Sequence, residues 1–250
     1  MTNVRNVYNA FTGPHKDNSD LIVITPTYYR NVQYPALVQM CTLLSLISNC
    51  TWIIVEDSYY KTELVVQFVH ECPVNIVHLN TRYEPYMLYQ GIEPRGVIQR
   101  NKAILFLIEN QYLFTNKNNI VYFADDDNTY HPELFHEIRK TKKLSTLPVG
   151  FSGGIPWEGC ITSSKNRGKI IRMRSFFRPD REFPVDMAGF AVSLNRILSQ
   201  KAFFNLKCVT LLETCFLKDL GFRDWREMEP LANGCQKILV WHTKFKNPLR

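Results

Sequence analysis

The sequence predicts an α/β fold, with a Rossmann-like sheet in its first half fused to a layer of different texture in its second. Two patterns predict it. Short β-branched and aromatic runs at 21–24, 52–55, 74–79 and 120–124 alternate with stretches of helical period, which is the layout of βαβ units. The acidic triplet Asp125-Asp126-Asp127 follows directly on the fourth run. In open α/β sheets, ligands sit outside the carboxyl ends of strands, so the triplet falls where a site is expected.

Residues 1–19 are polar and read as a loose lead-in without the apolar core of a secretory signal. Leu21-Ile22-Val23-Ile24 is a first buried strand, ended by Pro26. The tract from Asn31 to Val55 carries no charge and is long enough to span a bilayer. However, Gln33, Pro35, Gln39, Ser48 and Asn49 interrupt it, and Leu37, Met40, Cys41, Leu44 and Ile47 recur at helical spacing. It reads as an amphipathic helix over about 36–48 and a buried strand at 52–55, with Asp57 just beyond. A third strand at 74–79, a polar loop at 80–95 and a helix at 96–109 follow, the helix turning Ala103, Ile104, Leu107 and Ile108 inward. After strand 120–124 comes a helix over 131–142. From Val149, Gly150, Gly153 and Gly154 interrupt apolar residues, and a basic stretch at 165–181 is interleaved with Met173, Phe176 and Phe177. A last strand, 238–240, precedes His242. The two parts, about 20–130 and 148–250, are expected to form a single domain over 1–250.

An apolar content of 45% with 13% aromatic residues supports a substantial core and excludes a disordered chain. The net charge of +7 fits nucleic acid or small polyanions such as sugar nucleotides and acidic glycans. No Lys/Arg-rich run or nucleic-acid module stands out, so the small anions are favoured and nucleic acid is not expected as a partner. Seven cysteines without CxxC or paired Cys/His spacing argue against zinc, and the odd count leaves at least one thiol out of any intrachain pairing. Asn49-Cys50-Thr51 is a glycosylation sequon, relevant to a secreted or luminal chain.

Adjacent carboxylates repel unless a cation lies among them, and oxygen ligands suit Mg²⁺ or Mn²⁺. The triplet is thus either a solvated acidic turn or a site where a divalent ion bridges carboxylate to diphosphate; the strand before it and the cations elsewhere favour the second. Arg95 and Arg100 flank a helix start, where anions bind, or are solvated. His242 and Lys244 after the last strand can hold a diphosphate or be surface residues. Asp186 sits in an apolar run and needs a partner, which Arg181 can supply as an ion pair; otherwise it grips substrate hydroxyls. Glu213, also among apolar neighbours, is a helix-surface glutamate or a general base whose pKa those neighbours raise.

Pro26-Thr27-Tyr28, the segment 94–101, the run 122–130 containing the triplet, 183–190 and Val240-Trp241-His242-Thr243 occur in this order. Together they resemble the animal β-1,3-glucuronosyltransferases of proteoglycan and glycoprotein synthesis over roughly 20–248. The resemblance implies a GT-A type fold and an inverting transfer of glucuronic acid from UDP-glucuronate to the 3-hydroxyl of a terminal galactose. It also implies Mn²⁺ as cofactor, a homodimer, and the Golgi lumen as location. By position, Pro26, Thr27, Tyr28 and Asp57 would hold the uridine, and Arg95 and Arg100 would face the diphosphate and the glucuronate carboxylate. Asp125 and Asp126 would contact donor sugar and ribose, and Asp127 would bind the metal. His242, Thr243 and Lys244 would complete the donor site. Glu158, Phe177, Arg181 and Asp186 would meet the acceptor, and Glu213 would be the base.

Some positions depart from the family pattern. Ile98 stands where a glutamate is usual, Glu93 where histidine is common, and Lys244 where arginine is common, which keeps charge but loses bidentate geometry. The pair Leu211-Leu212 before Glu213 is unusually apolar. The chain ends soon after His242 and carries no anchor or stem of the type II Golgi kind, so it reads as a trimmed catalytic domain or a divergent member. A catalytically weakened UDP- or glycan-binding homologue is the alternative.

Overall fold

A computed structural model describes residues 20–84, 95–116, 118–163, 165, 168–208 and 210–244. In chain order the first half runs Leu21–Thr27 (β1), Gln33–Leu44 (α1), Cys50–Glu56 (β2), Glu63–Glu71 (α2), Asn75–Asn80 (β3), Val97–Glu109 (α3), Ile120–Phe123 (β4), Thr129–Tyr130 (β5) and Glu133–Ile138 (α4). The second half runs Leu144–Thr146 (β6), Val149–Gly150 (β7), Trp157–Thr162 (β8), Ile170–Arg174 (β9), Phe190–Ser193 (β10), Leu194–Gln200 (α5), Leu212–Asp219 (α6), Glu229–Pro230 (β11) and Val240–Trp241 (β12).

The main sheet has the order β11-β6-β10-β4-β1-β2-β3, and a smaller sheet the order β5-β12-β7-β8-β9. Strands β4, β1, β2 and β3 are parallel. Strands β1, β2 and β4 are almost wholly buried and mainly apolar because both faces are covered, whereas the edge strand β3 is half-buried and carries Asn75, His78 and Asn80. Ile22, Ile24, Val121 and Phe123 pack into one core, while Leu21, Val23 and Tyr122 pack into the other. Strand β10 from the second half inserts antiparallel between β4 and β6, so both halves share one sheet.

The structure moves several expected boundaries. Pro26 does not end the first strand, since β1 continues to Thr27. Pairing of β1 with β4 stops at Ile24–Phe123, whereas pairing with β2 runs on to Thr27–Glu56. Ile24 offers its carbonyl to Ala124 on the β4 side, so Pro26, two residues on, turns its missing N–H towards an edge already free. Helix α1 occupies 33–44 rather than about 36–48. Helix α2 was not anticipated; Thr62 caps it by accepting from Val65, and Val65 and Phe68 are its buried residues. Helix α4 ends at Ile138, well before 142, because the Glu229 carboxylate takes the amides of Lys142 and Lys143 on the way into β6. The last strand is only Val240–Trp241.

Three disulfides join Cys41 to Cys72, Cys160 to Cys235 and Cys208 to Cys215, and Cys50 is a buried free thiol. No helix among the described residues is long and apolar enough to cross a membrane.

Candidate active site

The acidic triplet sits just past β4, and each carboxylate has a different environment. Asp125 is ion-paired to Arg100 from α3. Asp126 is buried and held bidentately by Arg30 at 2.7 and 2.9 Å, with the Thr27 hydroxyl donating at 2.6 Å. Gln33 in turn donates to Thr27 at 3.2 Å. The side chain of Asp127 has no hydrogen bond or ion pair among the described residues, and only its carbonyl is engaged, by the Thr243 hydroxyl at 2.7 Å. Burial, then the charges of Asp125 and Asp126, push the Asp127 pKa up. Two anions are thus neutralised by arginines from separate elements, and the third is left with unmet negative charge. That is the requirement for a cation site.

Arg30 was not anticipated as a site residue. Its signal is present in the sequence: between Asp20 and Glu56 it is the one charged residue. It lies five residues beyond Thr25 in the loop after β1, over the Tyr28 ring at 4.7 Å.

The other donor-side positions gather at the same end of the sheet. Thr27 is buried, Pro26 half-buried and Tyr28 half exposed. Asp57 follows β2, its amide bonded to the Thr27 carbonyl at 2.8 Å and its carboxylate accepting from the Tyr83 amide at 2.8 Å. Arg95 is exposed at the start of α3, and Gly96 has φ +71°. A Cβ at Gly96 would meet Arg100 at 2.7 Å, so glycine there lets the guanidinium pass under the helix start towards Asp125. His242 follows β12, its amide bonded to the Gly150 carbonyl at 2.8 Å. Thr243 joins Thr129 at 3.1 Å. Lys244 is exposed, with no hydrogen bond or ion pair among the described residues. Ile98 is half-buried on α3, and Glu93 lies outside the described residues.

The acceptor-side positions form a second, connected group. Glu158 on β8 is buried and accepts from Ser152 at 2.9 Å, Ser175 at 2.8 Å and the Phe176 amide at 3.1 Å. Asp186 accepts from the same Ser152 hydroxyl at 2.9 Å and from the Ala188 amide at 2.9 Å. Ser152 and Ser175 were also missed, since isolated serines carry no distinguishing pattern. The expected Arg181–Asp186 pair does not form. Arg181 instead lies 3.8 Å from Glu213, donates to the Val185 carbonyl and covers the exposed Phe177 ring at 5.6 Å. Asp186 is drawn away because it caps the short helical turn at Met187 and faces His242 at 3.7 Å.

Glu213 begins α6, and the Cys208–Cys215 bridge closes the loop into that helix. Phe216 packs edge-on against Phe123 at 5.7 Å, which ties the Glu213 helix to the strand that carries the triplet. Burial, and then the negative charge of Asp186, raise the Glu213 pKa to about 7, against the opposing pull of Arg181 and Arg100. A carboxyl poised there can take a proton at neutral pH. Buried Arg100 Nε, Arg181 Nε and His242 Nδ1 lack hydrogen-bond partners. Unpaired polar atoms converging on one site are the mark of a ligand-binding cleft.

A family model described as glycosyltransferase family 43 matches residues 40–246. The human galactosylgalactosylxylosylprotein 3-beta-glucuronosyltransferase 1 is 38% identical over 235 residues, which cover 91% of this chain and 69% of the relative. The Caenorhabditis elegans galactosylgalactosylxylosylprotein 3-beta-glucuronosyltransferase sqv-8 is 37% identical over 254 residues, covering 99% of this chain and 70% of the relative. The chain belongs to glycosyltransferase family 43. As a family 43 member it is a glycosyltransferase, and the expected kinship is borne out. Among solved structures, S. aureus TarS 1-349 aligns with a TM-score of 0.52 at 12% identity, covering 90% of this chain and 60% of that one. A TarS 1-349 structure in complex with UDP aligns equally, at 13% identity. At such identity the likeness speaks to fold alone, and it agrees with the expected GT-A type α/β architecture.

Proposed function

We propose that this protein transfers glucuronic acid from UDP-glucuronate to the 3-hydroxyl of a terminal galactose, with inversion at the anomeric carbon. The observation that carries the reading is Glu213, held near pKa 7 in the cluster whose other side is the acidic triplet. The galactose oxygen forms the new bond to the anomeric carbon as the bond from that carbon to UDP breaks, and Glu213 takes the hydroxyl proton. Glu158, Asp186 and Arg181 hold the acceptor, with Phe177 as a platform for the sugar face. Arg95 and Arg100 face the diphosphate and the glucuronate carboxylate, while His242, Thr243 and Lys244 complete the donor side. Pro26, Thr27, Tyr28 and Asp57 take the uridine, and Asp125 and Asp126 the donor sugar and ribose.

The donor set suits a hard divalent cation, for which we propose Mn²⁺ held by Asp127. No group of three or more metal-ligating side chains occurs among the described residues. A cation that takes most of its ligands from diphosphate and water needs only one or two protein carboxylates. Bound there, the ion would offset the negative charge that develops on the departing diphosphate.

The test is UDP release from UDP-glucuronate with a β-galactoside acceptor and Mn²⁺. Inversion is read from the anomeric configuration of the product, and turnover with UDP-glucose should be far lower. Equal use of UDP-glucose would overturn the donor assignment. UDP binding without turnover over a broad acceptor panel would favour a weakened homologue. Location in the Golgi lumen is also proposed, supported by three disulfides of the kind that persist in oxidising compartments. Homodimerisation is proposed on the family resemblance, and sedimentation of the intact chain tests it.

A further inference from the structure

Between Lys165 and Pro179 the sequence carries six basic residues and no acid, against a net charge of +7 for the whole chain. Lys165, Lys169, Arg172 and Arg178 are exposed, and none has an acidic partner among the described residues. Elsewhere on the surface Lys218 pairs with Glu182 at 2.5 Å, Arg226 with Asp224 at 3.2 Å, and Lys140 and Lys237 each with a glutamate, while Lys61, Lys102, Lys201 and Lys207 are exposed singly without an acidic partner among the described residues. What sets this strip apart is that its cations follow one another with no acid between them, and it includes β9, the edge strand of the smaller sheet.

That strip leads directly into the acceptor group. Arg174 pairs with Gly159 across the β8–β9 ladder, one residue from Glu158, and lies over the Trp157 ring at 4.7 Å. The next two residues, Ser175 and Phe176, both donate to Glu158. Charged residues on an edge strand also deter pairing with other chains. That role accounts for Arg172 but not for Lys165, Lys169 and Arg178, which lie outside the strand. A continuous run of uncompensated cations beside a sugar pocket instead raises the local concentration of anions and orients them.

We propose that this strip binds sulfate or phosphate groups carried by the acceptor glycan beyond its terminal galactose, so that the preferred substrate is an anionic glycan. The proposal rests on the galactose-acceptor reading above. The experiment compares kcat/KM for two matched oligosaccharides ending in β-galactose, one neutral and one sulfated, using the intact chain and the triple variant Lys165→Ala/Lys169→Ala/Arg172→Ala. The sulfated acceptor should be favoured by about tenfold, or about 1.4 kcal/mol, the sum of three exposed charge contacts. The preference should disappear in the triple variant and at about 0.5 M salt, where exposed charges are screened, while the neutral acceptor is used equally by both proteins. Equal kcat/KM for the two acceptors in the parent would overturn the proposal, as would a preference that survives in the variant. Competition by an acidic peptide as strong as by the sulfated glycan would overturn the assignment to a glycan. If neither acceptor is used, the function proposed above fails. Calorimetric binding of the sulfated oligosaccharide to parent and variant then decides the strip by itself: binding lost in the variant supports it, and binding absent from the parent or retained in the variant rejects it.

Discussion

Replacing Glu213 with glutamine is expected to damage turnover and raise stability together, and both effects have one cause. Burial and the neighbouring Asp186 charge hold this carboxyl near 7, against an ordinary value of 4.5. That difference corresponds to a penalty of about 3 kcal/mol on the ionised form. Between about pH 4.5 and 7 the folded state keeps a proton that the unfolded chain has already released, so stability falls as pH rises through this window and levels off above 7. Glutamine has the same shape and cannot ionise, so it escapes the fall. Urea unfolding should therefore give parent and Glu213→Gln similar stabilities at the acid end of the window. At pH 8 the variant should be more stable, by up to about 3 kcal/mol. In initial-rate assays the parent kcat should rise through an apparent pKa of about 7, since the base works only when deprotonated. The variant should lose roughly 10²–10⁴ in kcat while still binding UDP. Normal turnover by Glu213→Gln would refute the assignment and turn attention to Glu158 or Asp186. A stability gap that is the same at both ends of the pH range would refute the electrostatic argument.

Asp127→Ala should fold normally and lose the metal-dependent rate, by roughly 10²-fold or more, for the loss of several kcal/mol of charge stabilisation; full activity would sink the metal assignment. Arg30→Ala leaves the buried Asp126 carboxylate without its bidentate partner, and about 3–5 kcal/mol of stability should go with it at neutral pH, measured by denaturant unfolding. Arg30→Ala/Asp126→Asn should recover part of that loss, and a double variant no better than Arg30→Ala would argue against a coupled pair. Among the disulfides, loss of Cys160–Cys235 should cost most, about 4.5 kcal/mol for a sequence separation of 75, and loss of Cys208–Cys215 least, about 2.4 kcal/mol for a separation of 7. Thermal unfolding of the paired alanine variants checks the order.

Much of the first half was legible because its strands are covered on both faces. Continuous apolar runs such as 21–24 and 120–124 have one economical reading, and an acid triplet directly after such a run marks a strand end. Helix α2 was overlooked although its signal is present: Val65, Phe68, Val69 and Cys72 recur at helical spacing behind the capping Thr62, in a helix of only nine residues. Pro26 was misjudged because proline's tolerance in a strand depends on which neighbour its nitrogen faces. The family resemblance was legible because several strings of residues occur in one order, and Glu213 was picked from many glutamates by its place within that resemblance rather than by a motif of its own.

The sequence by itself determined the α/β class, the positions of the triplet and of Glu213, and the surplus of positive charge. Only the tertiary structure decided how those charges are shared. Arg30 reaches Asp126 across 96 residues and Arg100 reaches Asp125 across 25. Arg181 passes over nearby Asp186 to reach Glu213. Charge pairing depends on distance in space and on desolvation, and both are set by which elements pack together rather than by separation along the chain. Among the described residues two of the three adjacent aspartates are neutralised and the third is left free, and a glutamate among apolar neighbours has its pKa raised to about 7 only once folding buries it and brings Asp186 near.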